Sequence, residues 1–145
     1  GILRLKNASE DEVKSAMWGI GLGLDLTLRE VQATLKKQGQ PWERAKSFDN
    51  SAPLSGFLPL SSVGNLDDLR FTLTINGEVR QQGHTALMLH KIVTLIAHMS
   101  STFTLDSGDV ILTGTPKGVG KLSPSDRVFA SLGNQVSVYT EVVAQ

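Results

Sequence analysis

Cysteine is absent from this 145-residue chain, which excludes a disulfide framework, a thiol nucleophile and a thiolate-held zinc ion. No apolar run approaches the roughly 20 residues that a membrane-crossing helix needs. No apolar signal stretch follows Lys6, so a cytoplasmic protein is expected. An excess of either charge is missing as well: Lys+Arg and Asp+Glu both count 14, for a formal net charge of +0. A general nucleic-acid binder draws its affinity from basic residues facing phosphates. Neither nucleic acid nor a membrane is therefore an expected partner. Repeats and low-complexity tracts are lacking too. What is present, 40% hydrophobic and 19% charged residues, is the composition of one globular domain built on an ordinary apolar core.

The opening Gly1-Ile2-Leu3-Arg4-Leu5 reads as the tail of a strand whose beginning lies upstream. Ser9 with Glu12 three residues on predicts a capping box and a helix to about Trp18. Residues 19–26 alternate strictly, with Ile20, Leu22, Leu24 and Leu26 on one face and Gly19, Gly21, Gly23 and Asp25 on the other. That pattern predicts a strand. Its glycines mark a place where a ligand or another backbone comes close. Thr27 and Glu30 form a second candidate capping box, opening a helix that Gly39 and Pro41 stop.

Residues 42–68 have little periodicity and are expected to form a long packed loop region. Strands are expected over 69–75 and 78–82, joined by the hairpin dipeptide Asn76-Gly77. A helix is expected over 85–98, then short strands over 102–105 and 110–113. A final hairpin, 127–132 and 135–143, turns at Gly133-Asn134. The class is α+β: a mixed, mainly antiparallel sheet with short helices.

Gly19-x-Gly21 lacks the third glycine of a dinucleotide fingerprint, because Leu24 stands there. The glycine-rich stretch Gly114 to Lys121 misses the P-loop spacing, with Thr115 at the first-glycine position and Leu122 in place of Ser or Thr. His84, His90 and His98 form no His-x-x-x-His pair and read as surface or core-edge histidines. Asp67-Asp68 reads as a solvated turn.

Asp25 stands out, at a strand-to-helix junction where ligands commonly bind. The plainer alternative is a carboxylate bonding the free N–H groups of the following helix. Arg29 and Gln32 lie about 60° apart in helical projection and can flank one pocket. Lys46 follows the helix stop in Trp42-Glu43-Arg44-Ala45-Lys46. A carboxylate, an amide and a lysine near one cleft suit a metal-bound oxo acid. Oxygen ligands favour Mg²⁺ or Mn²⁺ over zinc.

At these residues the chain resembles the fumarylacetoacetate hydrolase family. Asp25-Leu26-Thr27-Leu28-Arg29-Glu30-Val31-Gln32 is similar to the family's Asp-x-(Ser/Thr)-x-Arg-Asp-x-Gln signature, with Glu30 where Asp is frequent. The lysine segment Pro41 to Asp49, then Asn76-Gly77-Glu78, Gly108 to Pro116 and Gly118-Val119-Gly120 complete the pattern in order. Lys121 stands where proline is frequent. The resemblance covers nearly all of residues 1–145, read as a catalytic domain truncated at its N-terminus, and implies the family's sheet roll and a homodimer.

It also implies roles. Asp25 is a metal ligand, joined in the family by a Glu-x-Glu pair that falls just before Gly1. An upstream histidine-containing segment supplies the base and a lid. Lys46 and Arg29 are catalytic, and Gln32 and Thr115 contact the substrate. The expected activity is divalent-metal-dependent cleavage of a C–C bond in an acylpyruvate or fumarylpyruvate. Decarboxylation or tautomerisation of oxaloacetate on the same site is the alternative, because all three pass through an enolate. A non-catalytic assembly fragment is the rival from another class.

Overall fold

Ser9 starts the first helix as its chemistry dictates. Its hydroxyl accepts from the Glu12 amide while the Glu12 carboxylate accepts from the Ser9 amide, and helix α1 runs Glu10–Ala16. Val13, fully buried, faces Ile92 and Ile96 of helix α4, Ile92–Thr102. Leu5, Met17, Ile20, Leu105 and Ile111 close this core. The computed structural model describes residues 4–143. Of the expected opening strand tail, residues 1–3 lie outside that range, and Leu5 exchanges backbone hydrogen bonds of 2.8 and 3.0 Å with Leu105.

A two-stranded ribbon pairs β1, Gly19–Ile20, with β2, Leu58–Pro59. Between them in the chain come α2, Arg29–Lys37, and α3, Glu43–Lys46. A four-stranded antiparallel sheet in the order β4-β3-β5-β6 completes the fold, from β3 (Arg70–Ile75), β4 (Glu78–His84), β5 (Arg127–Leu132) and β6 (Val136–Glu141). Register aligns Phe71 with Leu132, Leu73 with Ala130 and Ile75 with Val128. One face of the sheet is thereby apolar and turned inward. The architecture is the expected α+β class with antiparallel pairing and short helices. Asn76 and Gly77 take the positive φ angles, 54° and 83°, of a tight hairpin turn.

Several boundaries differ from the sequence reading. The strand expected over 19–26 keeps regular pairing only at Gly19 and Ile20. Beyond them the Ser55 hydroxyl, not a carbonyl, takes the Leu22 amide at 2.9 Å. The segment nevertheless stays extended, with Leu24 and Leu26 donating to Pro53 and Ser51 carbonyls. The helix expected over 85–98 is displaced toward the C-terminus. Thr85 exchanges bonds with Leu69, through its amide and its hydroxyl (2.9 and 2.8 Å), which ties it to the start of the sheet. Residues 85–87 form only a 3₁₀ turn before α4 begins at Ile92. No strand forms over 110–113; that stretch instead covers a cleft. Asp68 is more than a solvated turn residue, because its Oδ1 meets His84 Nε2 at 2.5 Å.

Candidate functional site

A cleft of about 1590 Å³ opens between the apolar face of the sheet and the extended segment 19–26. What approaches the glycines is the chain itself. A Cβ at Gly19 would lie 2.4 Å from the Leu58 carbonyl oxygen, and one at Gly23 would lie 2.6 Å from Leu112 Cδ2. Asp25 and Arg29 line the cleft on one side, and Thr115 lines it from the loop between Leu105 and Leu122.

Lys46, on α3, lies outside the cleft lining and meets two residues that do line it, Asp25 and Thr27. The short helix is seated by Ala45, fully buried, whose carbonyl accepts from the Leu28 amide at 3.0 Å. Its other end is braced where Lys36 Nζ sits 4.3 Å from the centroid of the Trp42 ring, a favourable cation–π contact. So fixed, Lys46 Nζ lies 2.5 Å from Asp25 Oδ1 and donates to Thr27 Oγ1 at 2.9 Å.

Thr27 was expected to cap α2. It does not: Leu28 occupies the N-cap position with no side-chain cap bond. The hydroxyl is engaged by Lys46 instead, and sits 3.4 Å from the Asp25 carbonyl oxygen. Sequence reasoning therefore missed Thr27 as a member of the site. Its place two residues after Asp25 in the signature was the signal available. Arg29 Nη1 donates to Gln32 Oε1 at 3.3 Å. Gln32 stands beside the cleft rather than on its wall. Asp25, Thr27, Arg29 and Thr115 thus line one cleft, and Lys46 joins Asp25 and Thr27 from outside its lining.

Among the described residues no group of three or more His, Asp or Glu side chains could hold a metal. Asp25 is one carboxylate, already engaged by an ammonium group. A Mg²⁺ ion prefers octahedral oxygen coordination and gives up water reluctantly. The described residues by themselves do not make a site for a resident ion.

The α+β fold has solved counterparts. The family model described as fumarylacetoacetate (FAA) hydrolase C-terminal matches residues 3–144. The chain belongs to the fumarylacetoacetate hydrolase family. It is 57% identical over 125 residues to oxaloacetate tautomerase YcgM of Escherichia coli (strain K12), covering 86% of this chain and 57% of that protein. A protein from Yersinia pestis CO92, described as of this family, superposes with a TM-score of 0.92 at 51% identity, over 97% of this chain and 64% of that one. The fumarylpyruvate hydrolase from Pseudomonas aeruginosa, solved in complex with Mn²⁺ and pyruvate, gives 0.92 at 30% identity, over 98% and 61%. The chain thus spans less than two thirds of the length of these relatives. Among the described residues no helix is long and apolar enough to cross a membrane.

Proposed function

We propose that the intact protein to which this chain belongs interconverts the enol and keto forms of oxaloacetate in the cleft beside Asp25. The carrying observation is the Lys46 ammonium group, held against Asp25 and Thr27, two residues that line the cleft. Stability gives little reason for that pair. Asp25 and Lys46 side chains are 39% and 34% exposed, and ion pairs this open to water contribute about 0–1 kcal/mol. A reaction that builds negative charge on oxygen gives a better one.

In the keto-to-enol direction a proton leaves C3 and the C2 oxygen gains one, so no atom is gained or lost overall. Negative charge accumulates on that oxygen as the C3 proton departs. A preorganised cation at the developing oxyanion lowers this barrier, and Lys46 is assigned that role. Arg29, steadied by Gln32, offers a bidentate donor to a substrate carboxylate. Thr115 offers a hydroxyl from the facing loop. Asp25 holds the Lys46 ammonium in place and, in the intact protein, is assigned as one ligand of a Mg²⁺ or Mn²⁺ site. The remaining ligands would be the carboxylates that the family resemblance puts before Gly1. Such an ion would supply Lewis acidity toward the 2-oxo acid.

The tautomerase reading is preferred to C–C hydrolysis because it is the activity in the name of the E. coli relative, at 57% identity. Hydrolysis of an acylpyruvate is the second reading, favoured by the Pseudomonas aeruginosa relative at 30% identity. The intact protein mixed with enol oxaloacetate, and separately with an acylpyruvate, tests the choice. Faster loss of the enol without pyruvate release is expected. Pyruvate release from the acylpyruvate, with no effect on the oxaloacetate enol, would favour hydrolysis.

A further inference from the structure

The loop that carries Thr115 has no regular secondary structure of its own, yet it is seated on the edge of the sheet in a specific way. On β4 the register passes from Val79, opposite Thr74, to Gln81, opposite Leu73, so Arg80 is an extra residue in a bulge. Bulges bend a strand and re-aim its groups. Here the bulge meets the loop at two points. Gly118, at φ +101°, lies so close to β4 that a Cβ there would fall 2.0 Å from the Arg80 carbonyl oxygen. Two residues earlier, Gln81 Nε2 donates to the Pro116 carbonyl at 2.9 Å in a partly buried bond. Pro116 is the immediate neighbour of Thr115.

We infer that Gln81 is a positioning residue, which through Pro116 fixes Thr115 at the mouth of the cleft. The bulge at Arg80 and the bare α-carbon of Gly118 form the seat that makes the bond possible. Gln81 acts through the loop and needs no contact with the substrate itself. The part of the inference that concerns substrate binding rests on the proposed function of the cleft. The seating of the loop does not.

The test uses the intact protein and Gln81→Leu, which keeps most of the volume and removes the donor. Trypsin cleavage at Lys117-Gly118 reads release of the loop from the sheet, because a seated segment must open before it is cut. Cleavage is expected to accelerate about five-fold, the ratio corresponding to a hydrogen bond of ordinary worth. With oxaloacetate as substrate, KM is expected to rise about five-fold while kcat changes less than about two-fold. In a Thr115→Val background the same Gln81→Leu change is expected to leave KM nearly unaltered, because coupled residues are not additive. Unchanged trypsin cleavage would overturn the positioning of the loop. Accelerated cleavage with an equal KM effect in both backgrounds would overturn its action through Thr115. A parent protein with no effect on oxaloacetate would instead sink the proposed function, and the cleavage rate would still decide whether Gln81 seats the loop.

Discussion

Lys46 Nζ and Asp25 Oδ1 meet at 2.5 Å although they enter from opposite ends of α2, one before it and one on the short helix after it. The meeting is arranged by backbone. The Leu28 amide bonds to Ala45, and the Leu26 amide to Ser51, so the segments that carry Asp25 and Lys46 are tied side by side. Thr27 completes the arrangement as acceptor for the same ammonium group.

Thr27→Val is expected to lower kcat of the intact protein about ten-fold, from loss of a hydrogen bond to a charged group. Thr27→Ser, which keeps the hydroxyl, is expected to retain most of the activity. Unchanged kcat in Thr27→Val would mean that the hydroxyl does not matter, and a loss confined to Thr27→Ser would assign the effect to the methyl group. Steady-state kinetics on the two variants settles the point.

Isothermal titration of the 145-residue chain with Mg²⁺ or Mn²⁺ is expected to show no binding tighter than millimolar. One carboxylate in water attracts a unit charge by only about 1 kcal/mol at 4 Å, and Asp25 is shared with Lys46. Micromolar binding that vanishes in Asp25→Asn would contradict this, because it would require ligands beyond the single carboxylate.

Acid is expected to weaken the first helix. The Ser9 backbone amide, and then its hydroxyl, hold the Glu12 carboxyl below its usual range. A carboxyl lowered in the folded state contributes stability above its unfolded value, and that contribution disappears as pH falls through the folded value. The melting-temperature gap between the parent chain and Glu12→Gln should therefore be widest near neutrality and close in acid. A gap that widens in acid would contradict the sign.

Ile96→Ala should destabilise the chain by about 2–5 kcal/mol, the range for truncating a buried aliphatic side chain. Ile96 packs between α4 and α1 in the principal core. Denaturant unfolding measures the change. A loss below about 1 kcal/mol would mean that the neighbours collapse into the space.

How much of this was legible in the sequence depends on how local each determinant is. The Ser9–Glu12 box, the Asn76-Gly77 turn and the final hairpin use neighbouring residues alone, and all three formed where expected. Asp25, Arg29 and Thr115 were singled out by motif, and the fold brings them to one cleft. Thr27 does not cap because α2 begins at Arg29 with Leu28 at the N-cap position, and its hydroxyl meets Lys46, 19 residues away. The start of α4 was misplaced for the same kind of reason: Thr85 is claimed by Leu69, 16 residues earlier. The strand over 110–113 was not found. Its alternating apolar residues instead cover the cleft, with Leu112 packed at Gly23.

In the proposed reaction the Lys46 ammonium group would stabilise charge developing on the 2-oxo oxygen of oxaloacetate. The most direct test follows disappearance of the oxaloacetate enol by its ultraviolet absorbance, with the intact protein and with Lys46→Met. The parent should accelerate the conversion, and Lys46→Met should lose about 100-fold in kcat with little change in melting temperature. An unchanged kcat in Lys46→Met, with the parent active, would contradict the role of Lys46.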